Sequence, residues 1–297
     1  MIKILLLGAK GQIGWELHRT LVNIGEVIAT TRREIDLTNN QNIIDAISAI
    51  RPDLLINAAA YTSVDRAEDE PEIANQVNGY ALEAICKSAK RFGFPVVHYS
   101  TDYVFDGNKQ EPYTELDTPK PINAYGRSKL LGEQIIQASS TPHLIFRTSW
   151  VYGARGKNFL LTMVDLAQKC RHIQVVNDQI GTPTWSRFVA QATTNVLVVG
   201  RENLRGYFES FSGIYHLTPQ GTATWYEFAK YIFMAMKLTS IAIEPISSDE
   251  YIAKARRPKY SVLTTHRHLD GIVKLHWSRY LDLVIQSLEN ANVVSAQ

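Results

Sequence analysis

Tyr125 and Lys129 stand four residues apart in the run Asn123-Ala124-Tyr125-Gly126-Arg127-Ser128-Lys129. On a helix, residues at that spacing share a face. A lysine ammonium beside a phenol favours the phenolate and so lowers the tyrosine pKa. Such a phenol can give a proton to a carbonyl oxygen as hydride reaches the carbon, and the lysine can also hold a nicotinamide ribose. Alone, Y-x-x-x-K is common. It gains weight from His98-Tyr99-Ser100-Thr101-Asp102-Tyr103 upstream. Thr101 would end a strand there, at the edge where open α/β sheets gather their active sites. Its hydroxyl can bond the carbonyl oxygen that Tyr125 protonates, or it can simply cap a turn.

A phosphate site precedes both. Gly8-Ala9-Lys10-Gly11-Gln12-Ile13-Gly14 places three glycines between a first strand and a first helix. Gly8 closes the strand, Gly11 lets the backbone approach a pyrophosphate, and Gly14 lets the helix lie close to the sheet. The helix N-terminus offers free N–H groups and the positive end of its dipole. A tight structural turn would use the same residues. Arg32 and Arg33 end the second strand. An acidic residue there would take the ribose 2′-OH of NAD, whereas arginine can pair with the 2′-phosphate of NADP. NADPH is therefore the expected cofactor, with NADH possible. Asp36 and Leu37 follow and read as contacts near the adenine, although Asp36 could equally shape the turn before Thr38.

These groups need a frame, and the apolar pattern supplies one. Ile2 to Leu7 is a short apolar run suited to a strand buried on both faces. Helical spacing follows over residues 11–24, then a strand over 26–30. Thr38 or Asn39 can cap a helix ending at Ile50. A third strand covers 54–56, a long helix runs from Pro71 to about Phe92, and a fourth strand covers 95–100. A helix over 124–138 and a strand over 143–147 complete the alternation. This order predicts a Rossmann-like doubly wound parallel sheet. Beyond Trp150 the pattern predicts helices over 156–170, 187–199, 225–236 and 278–288, with strands over 173–176 and 213–217. We expect residues 1–150 to form the cofactor domain. Residues 151–297 would form mainly a smaller α/β substrate lobe, with some segments returning to the first.

The chain has 297 residues, 45% hydrophobic and 20% charged, with 31 Lys+Arg against 29 Asp+Glu. That composition excludes disorder, and the near-balance of charge excludes a broad nucleic-acid surface. No apolar run reaches the ~18 residues of a membrane span. Cys86 and Cys170 are too few for a disulfide framework and fit a reducing cytoplasm. His266-x-His268 lacks an evident third ligand and is not read as a metal site.

The glycine turn, S-T-D-Y-V-F-x-G at 100–107 and Y-G-x-S-K at 125–129 resemble the extended short-chain dehydrogenase/reductase superfamily. Further runs narrow the likeness. R-P-D-L-L-I-N-A-A-A-Y-T-S-V-D at 51–65, H-L-I-F-R-T-S-W-V-Y-G at 143–153 and N-D-Q-I-G-T-P-T at 177–184 are similar to the dTDP-4-dehydrorhamnose reductase family. The likeness continues through Y-H-L-T at 215–218 and T-W-Y-E-F-A at 224–229, so it covers nearly the whole chain.

This resemblance implies reduction of the 4-keto group of dTDP-4-dehydro-L-rhamnose to dTDP-L-rhamnose, for surface polysaccharide such as O-antigen. It makes Tyr125 the proton donor, Lys129 its assistant and ribose ligand, and Thr101 the polariser of the carbonyl. It places Gly11, Gln12 and Ile13 along the pyrophosphate, Ala59, Ala60 and Tyr61 under the cofactor, and Tyr99 nearby. Thr101, Asp102 and Trp150 would touch the sugar nucleotide. Arg257, in an R-P-x-x-S-like segment, would hold phosphate. Trp150 reads equally as a core aromatic, and Arg257 as a surface cation. Nucleotide-sugar dehydratases resemble T-D-E where Tyr103 follows Thr101-Asp102 here, which disfavours dehydration. A reductase of another deoxysugar nucleotide is the alternative, as is a non-catalytic subunit of the methionine adenosyltransferase β type. Some family members bind Mg²⁺ at a dimer interface, but 185–190 supplies no carboxylate beside Glu16, so magnesium is not expected. Monomer and homodimer both remain open.

Overall fold

The computed structural model describes the backbone of residues 1–238 and 241–295, and side chains through Glu289. β1 (Ile2–Leu7) buries Ile4 to Leu7 and leads through the glycine turn into α1 (Gln12–Leu21). β2 (Gly25–Thr30) follows, then α2 (Asn40–Ile50). Of the two candidate caps for α2, Asn39 serves: its side chain accepts the N–H of Asn42. β3 (Leu54–Asn57) is buried throughout, and the short α3 (Val64–Ala67) follows it.

The helix expected over 71–92 is interrupted. Pro71 opens α4 (Pro71–Asn75), a single π-helical turn spans Gln76–Tyr80, and α5 (Ala81–Phe92) continues. The π turn turns Asn78 inward. Its Oδ1 accepts the N–H of Tyr61 at 2.8 Å, and its Nδ2 donates to Tyr61 O and Ser128 Oγ. Inserted residues of this kind concentrate at functional sites. β4 (Val96–Thr101), α6 (Ala124–Ala138, capped by Asn123) and β5 (His143–Thr148) complete the first half. Arg147 on β5 and Glu133 on α6 form a two-pronged ion pair at 2.6 and 2.9 Å with both side chains buried.

The second half begins with β6 (Val151–Tyr152) and α7 (Phe159–Lys169), the latter capped by Asn158. Next come β7 (His172–Val176), β8 (Ile180–Gly181), β9 (Thr184–Trp185), α8 (Ser186–Gly200) and α9 (Leu204–Phe211). β10 (Gly213–His216), β11 (Ala223–Thr224), α10 (Trp225–Ala235), β12 (Ala242–Ile246) and α11 (Trp277–Ser295) close the chain.

Among the described residues, six parallel strands form one sheet in the order β10-β5-β4-β3-β1-β2. One face packs Ile4, Leu6, Val97 and Phe146 against Leu17, Val189, Val196 and Phe208 of α1, α8 and α9. The other packs Leu5, Leu55 and Ile145 against Ile43, Ile47, Ile85 and Ile136 of α2, α5 and α6. This is the doubly wound, Rossmann-like arrangement. A separate cluster joins α7, α10 and α11 through Leu160, Phe228, Ile232, Trp277 and Leu281. One of the sheet's two edge strands, β10, and the helix α8 both come from beyond residue 150, and Thr194 of α8 donates to Thr20 of α1 at 2.7 Å. Among the described residues, no helix is long and apolar enough to cross a membrane.

Candidate active site

The glycine turn is set by backbone crowding. Gly8 has φ +77°, and a Cβ on it would lie 2.6 Å from the Ala59 nitrogen. A Cβ on Gly14 would meet the Gly8 carbonyl oxygen at 2.1 Å, so α1 approaches β1 as closely as backbone allows. Gly11 donates its N–H to Gly8 O at 2.9 Å, and no side chain caps α1. The helix therefore presents its N-terminus to a cleft of about 1040 Å³. Gly8, Gly11, Gln12 and Ile13 line it; Gly14 packs behind them. Gln12 also accepts from Asn158 Nδ2 at 3.0 Å, which ties the turn to the loop before α7.

At the far end the cleft is lined by Arg32, Asp36 and Leu37, while Arg33 lies exposed and outside its lining. Arg32 points back along its own turn, 3.5 Å from Asp36. Asp36 does shape that turn: its Oδ1 accepts from the N–H and the hydroxyl of Thr38, which hold its pKa down. Ala59, Ala60 and Tyr61 form the floor after β3. Tyr99 reaches the cleft from β4 while its hydroxyl is paired with Thr193 at 2.8 Å.

Thr101, Asp102, Tyr125 and Lys129 meet where β4 ends against the first turns of α6. The Thr101 hydroxyl donates to Asp102 Oδ1 at 3.0 Å and accepts the N–H of Tyr103. Asp102 is 2% exposed, and its Oδ2 has no hydrogen-bond partner. Burial raises its carboxyl to about 7, against the smaller opposing effects of the nearby Ser261 and Thr101 hydroxyls.

The expected lowering of the Tyr125 pKa by Lys129 is not what the structure holds. Enclosure pushes the phenol up to about 12, with the Thr101 hydroxyl pulling the other way. Lys129 is itself buried, which lowers it to about 8 against the pull of Glu133. Its Nζ faces His98 Nε2 at 3.2 Å. Desolvation thus decides the state of the phenol, and the Lys129 Nζ is turned to His98.

On the other wall Trp150, at φ +46°, stacks on Trp225 with ring centroids 3.6 Å apart. Gly181 allows this, since a Cβ there would lie 2.4 Å from the indole. Both Trp150 and Trp225 line the cleft, so the stack belongs to core and cavity at once. Arg257 also lines it but is already engaged, with Nη2 2.7 Å from Asp65 Oδ2. The Ala255 N–H, on Asp65 of α3, and Lys254, on Asp69 just past that helix, add to this clasp. The Arg257 hydrogen bond holds Asp65 below the usual carboxylate range. Arg257 also borders a second cavity of about 300 Å³ with Arg256, Lys259 and Gln179.

Sequence reading did not single out Trp225, Gly181, Asp65, His98 or Asn158. The T-W-Y-E-F-A and N-D-Q-I-G-T-P-T runs contained the first two as unassigned letters. Among the described residues, no three His, Cys, Asp or Glu side chains gather as a metal site. Glu16 is buried, which raises its pKa, and its charged neighbours are Arg187, Arg19 and Arg155.

The cleft fits a nicotinamide dinucleotide. It offers an uncapped helix end beside glycines, a wall lined by Ala58, Ala59 and Ala60, and buried polar atoms without partners at Ser100 Oγ, Asp102 Oδ2 and Thr148 Oγ1.

Comparison with known proteins agrees. The model of the RmlD substrate binding domain family matches residues 2–290. The dTDP-4-dehydrorhamnose reductase of Burkholderia thailandensis is 42% identical over 97% of this chain and 99% of its own. That of Escherichia coli K12 is 41% identical over 90% of each. A crystal structure of the Bacillus anthracis dTDP-4-dehydrorhamnose reductase in complex with NADP superposes with TM-score 0.85 at 34% identity, covering 96% of this chain and 99% of that one. From its glycine turn to its last helix, the chain belongs to the RmlD substrate binding domain family, alongside these dTDP-4-dehydrorhamnose reductases.

Proposed function

We propose that this chain reduces the 4-keto group of dTDP-4-dehydro-L-rhamnose to give dTDP-L-rhamnose, with NADPH as the preferred cofactor. The observation that carries this reading is the convergence, in one cleft, of the glycine turn with Thr101, Tyr125 and Lys129. The names of the relatives supply the substrate.

Gly8, Gly11, Gln12 and Ile13 would hold the pyrophosphate at the α1 N-terminus, and Ala59, Ala60 and Tyr61 the underside of the cofactor. Arg32, the arginine on the cleft wall, would meet the 2′-phosphate. The bound cofactor supplies hydride to the keto carbon. Tyr125, a phenol protonated at neutral pH and held more firmly so by its enclosure, gives its proton to the carbonyl oxygen. The Thr101 hydroxyl, by turning its one hydrogen from Asp102 Oδ1 to that oxygen, favours the charge that builds there. Asp102, which lines the cavity and whose buried Oδ2 has no partner, would take a sugar hydroxyl. Trp150, backed by Trp225, gives the sugar a flat wall, and Arg257 stands between cleft and second cavity where a nucleotide diphosphate would lie. Residues 1–150 would supply most cofactor contacts and 151–297 most of those to the sugar nucleotide. The two free thiols suit a cytoplasmic setting.

The test supplies dTDP-4-dehydro-L-rhamnose and NADPH to the purified protein and follows nicotinamide absorbance. Turnover is expected, falling roughly 10²–10⁴-fold in Tyr125→Phe with cofactor binding retained. Absence of wild-type turnover while NADPH still binds would refute the reading.

A further inference from the structure

His98 has no role in the reaction as written. It lies on β4 three residues before Thr101, 1% exposed, and both ring nitrogens are engaged. Nδ1 is 3.2 Å from Asn57 Nδ2, and Nε2 is 3.2 Å from Lys129 Nζ. The direction of these bonds follows from the next link. Asn57 Oδ1 accepts the N–H of Ala59 at 3.1 Å. The other arm of that amide is then NH₂, which can only donate. Nδ1 must accept, and a neutral imidazole with an accepting Nδ1 carries its hydrogen on Nε2. That hydrogen faces Nζ. A lysine ammonium would oppose donor to donor, whereas an amine offers a lone pair.

We infer that Asn57 and His98 are positioning residues that set the proton state of Lys129, by presenting the His98 Nε2–H to Nζ and stabilising the amine. Burial acts in the same sense, holding His98 neutral and lowering Lys129. The other groups facing this pair are few. Glu133, on the lysine's own helix, favours the ammonium but is bound by Arg147 of β5. His143 faces His98 from β5. Tyr125 stands one turn before Lys129, with Asp102 beyond it.

The consequence for catalysis rests on the proposed reduction. Once Tyr125 has given its proton to the carbonyl oxygen, a phenolate remains. A proton passing from the Lys129 ammonium restores the phenol and leaves the amine, the form that His98 stabilises. Water in the cleft then returns a proton to Nζ. His98 and Asn57 act on this exchange through Lys129 alone and touch neither substrate nor cofactor.

The test is nitrogen NMR of the full chain labelled at histidine and lysine, without substrate or cofactor. His98 should be the Nε2–H tautomer throughout the neutral range, and Nζ of Lys129 should titrate near 8. Asn57→Asp keeps an acceptor for Ala59 but offers oxygen to Nδ1, so Nδ1 must donate and Nε2 must accept. The Lys129 pKa should then rise by roughly 1–3 units. Adding His98→Leu to Asn57→Asp should remove most of that rise, which a bare effect of the new carboxylate would leave in place. An Nδ1–H or doubly protonated His98 in the wild type, or an unmoved Lys129 pKa in Asn57→Asp, would overturn the inference. Because these readouts need no turnover, failure of the reduction assay and failure of this inference are separate results.

Discussion

Asp102 makes the folded chain sensitive to pH. Its carboxyl is raised from 3.8 to about 7 because folding strips it of water and leaves Oδ2 without a partner. A raised folded pKa means stability that is complete below the unfolded pKa and is lost as pH rises through the folded one. The gap of about three units corresponds to about 4 kcal/mol in all, at roughly 1.4 kcal/mol per unit. About 3 kcal/mol of this should disappear between about pH 5 and pH 8. Asp102→Asn copies the protonated acid: one oxygen still accepts from Thr101, and an amide replaces the acid O–H. The assay is urea unfolding of wild type and variant across that range, without ligands. Other groups titrate in both proteins, so the difference between them isolates Asp102. The variant should match wild type near pH 5 to within about 1–2 kcal/mol and exceed it near pH 8. Parallel pH profiles would refute the argument that this carboxyl is uncompensated in the folded state.

Arg32→Ala should weaken NADPH binding roughly tenfold or more and leave NADH unchanged, as read by fluorescence titration, whereas Arg33→Ala should alter neither. Equal affinities of Arg32→Ala and wild type for NADPH would remove Arg32 as the 2′-phosphate ligand. Gly14→Ala drives a methyl into the Gly8 carbonyl and should cost about 1–3 kcal/mol in thermal melting, together with cofactor affinity. An unchanged melting curve would show that the turn has slack. Arg147→Met alone strands Glu133 in the core and should cost about 3–5 kcal/mol, while Arg147→Met with Glu133→Leu should recover most of it. Equal losses in both would mean the arginine matters for packing and not for charge.

The elements that position the cofactor were legible because each carries its own signal. β1 and β3 are apolar runs, β4 and β5 carry the apolar stretches Val96-Val97 and Leu144-Ile145-Phe146, and the helices between them show a clear buried stripe. β6, β8, β9 and β11 have two residues each, too few for any periodicity, and exist only because neighbouring segments bring partners to them. The break in the long helix was equally hidden. Asn78 and Gly79 weaken the helix locally but do not specify a π turn, which goes with Asn78 meeting Tyr61 and Ser128, contacts that span the fold. Within the site, residue types and order indicated Thr101, Tyr125 and Lys129. Their charge state was not readable, because burial and the His98 contact decide it. Arg257 looked like an unattached cation for the same reason: Asp65, which holds it, lies 192 positions earlier.

The sheet's edge bears on how the chain is born. Every residue proposed for proton transfer precedes β5's end at Thr148, yet the strand that covers β5 is Gly213–His216, and the helix that covers α1 is Ser186–Gly200. A ribosome that has released only the first half has therefore made the chemistry without its shelter. β5 is then an open edge, and the outer side of α1 is bare to solvent, the condition that invites pairing with other nascent chains. Closure waits on residue 216, after which one strand and one helix seal both exposures together. A protein cut near residue 150 would keep that unfinished state permanently.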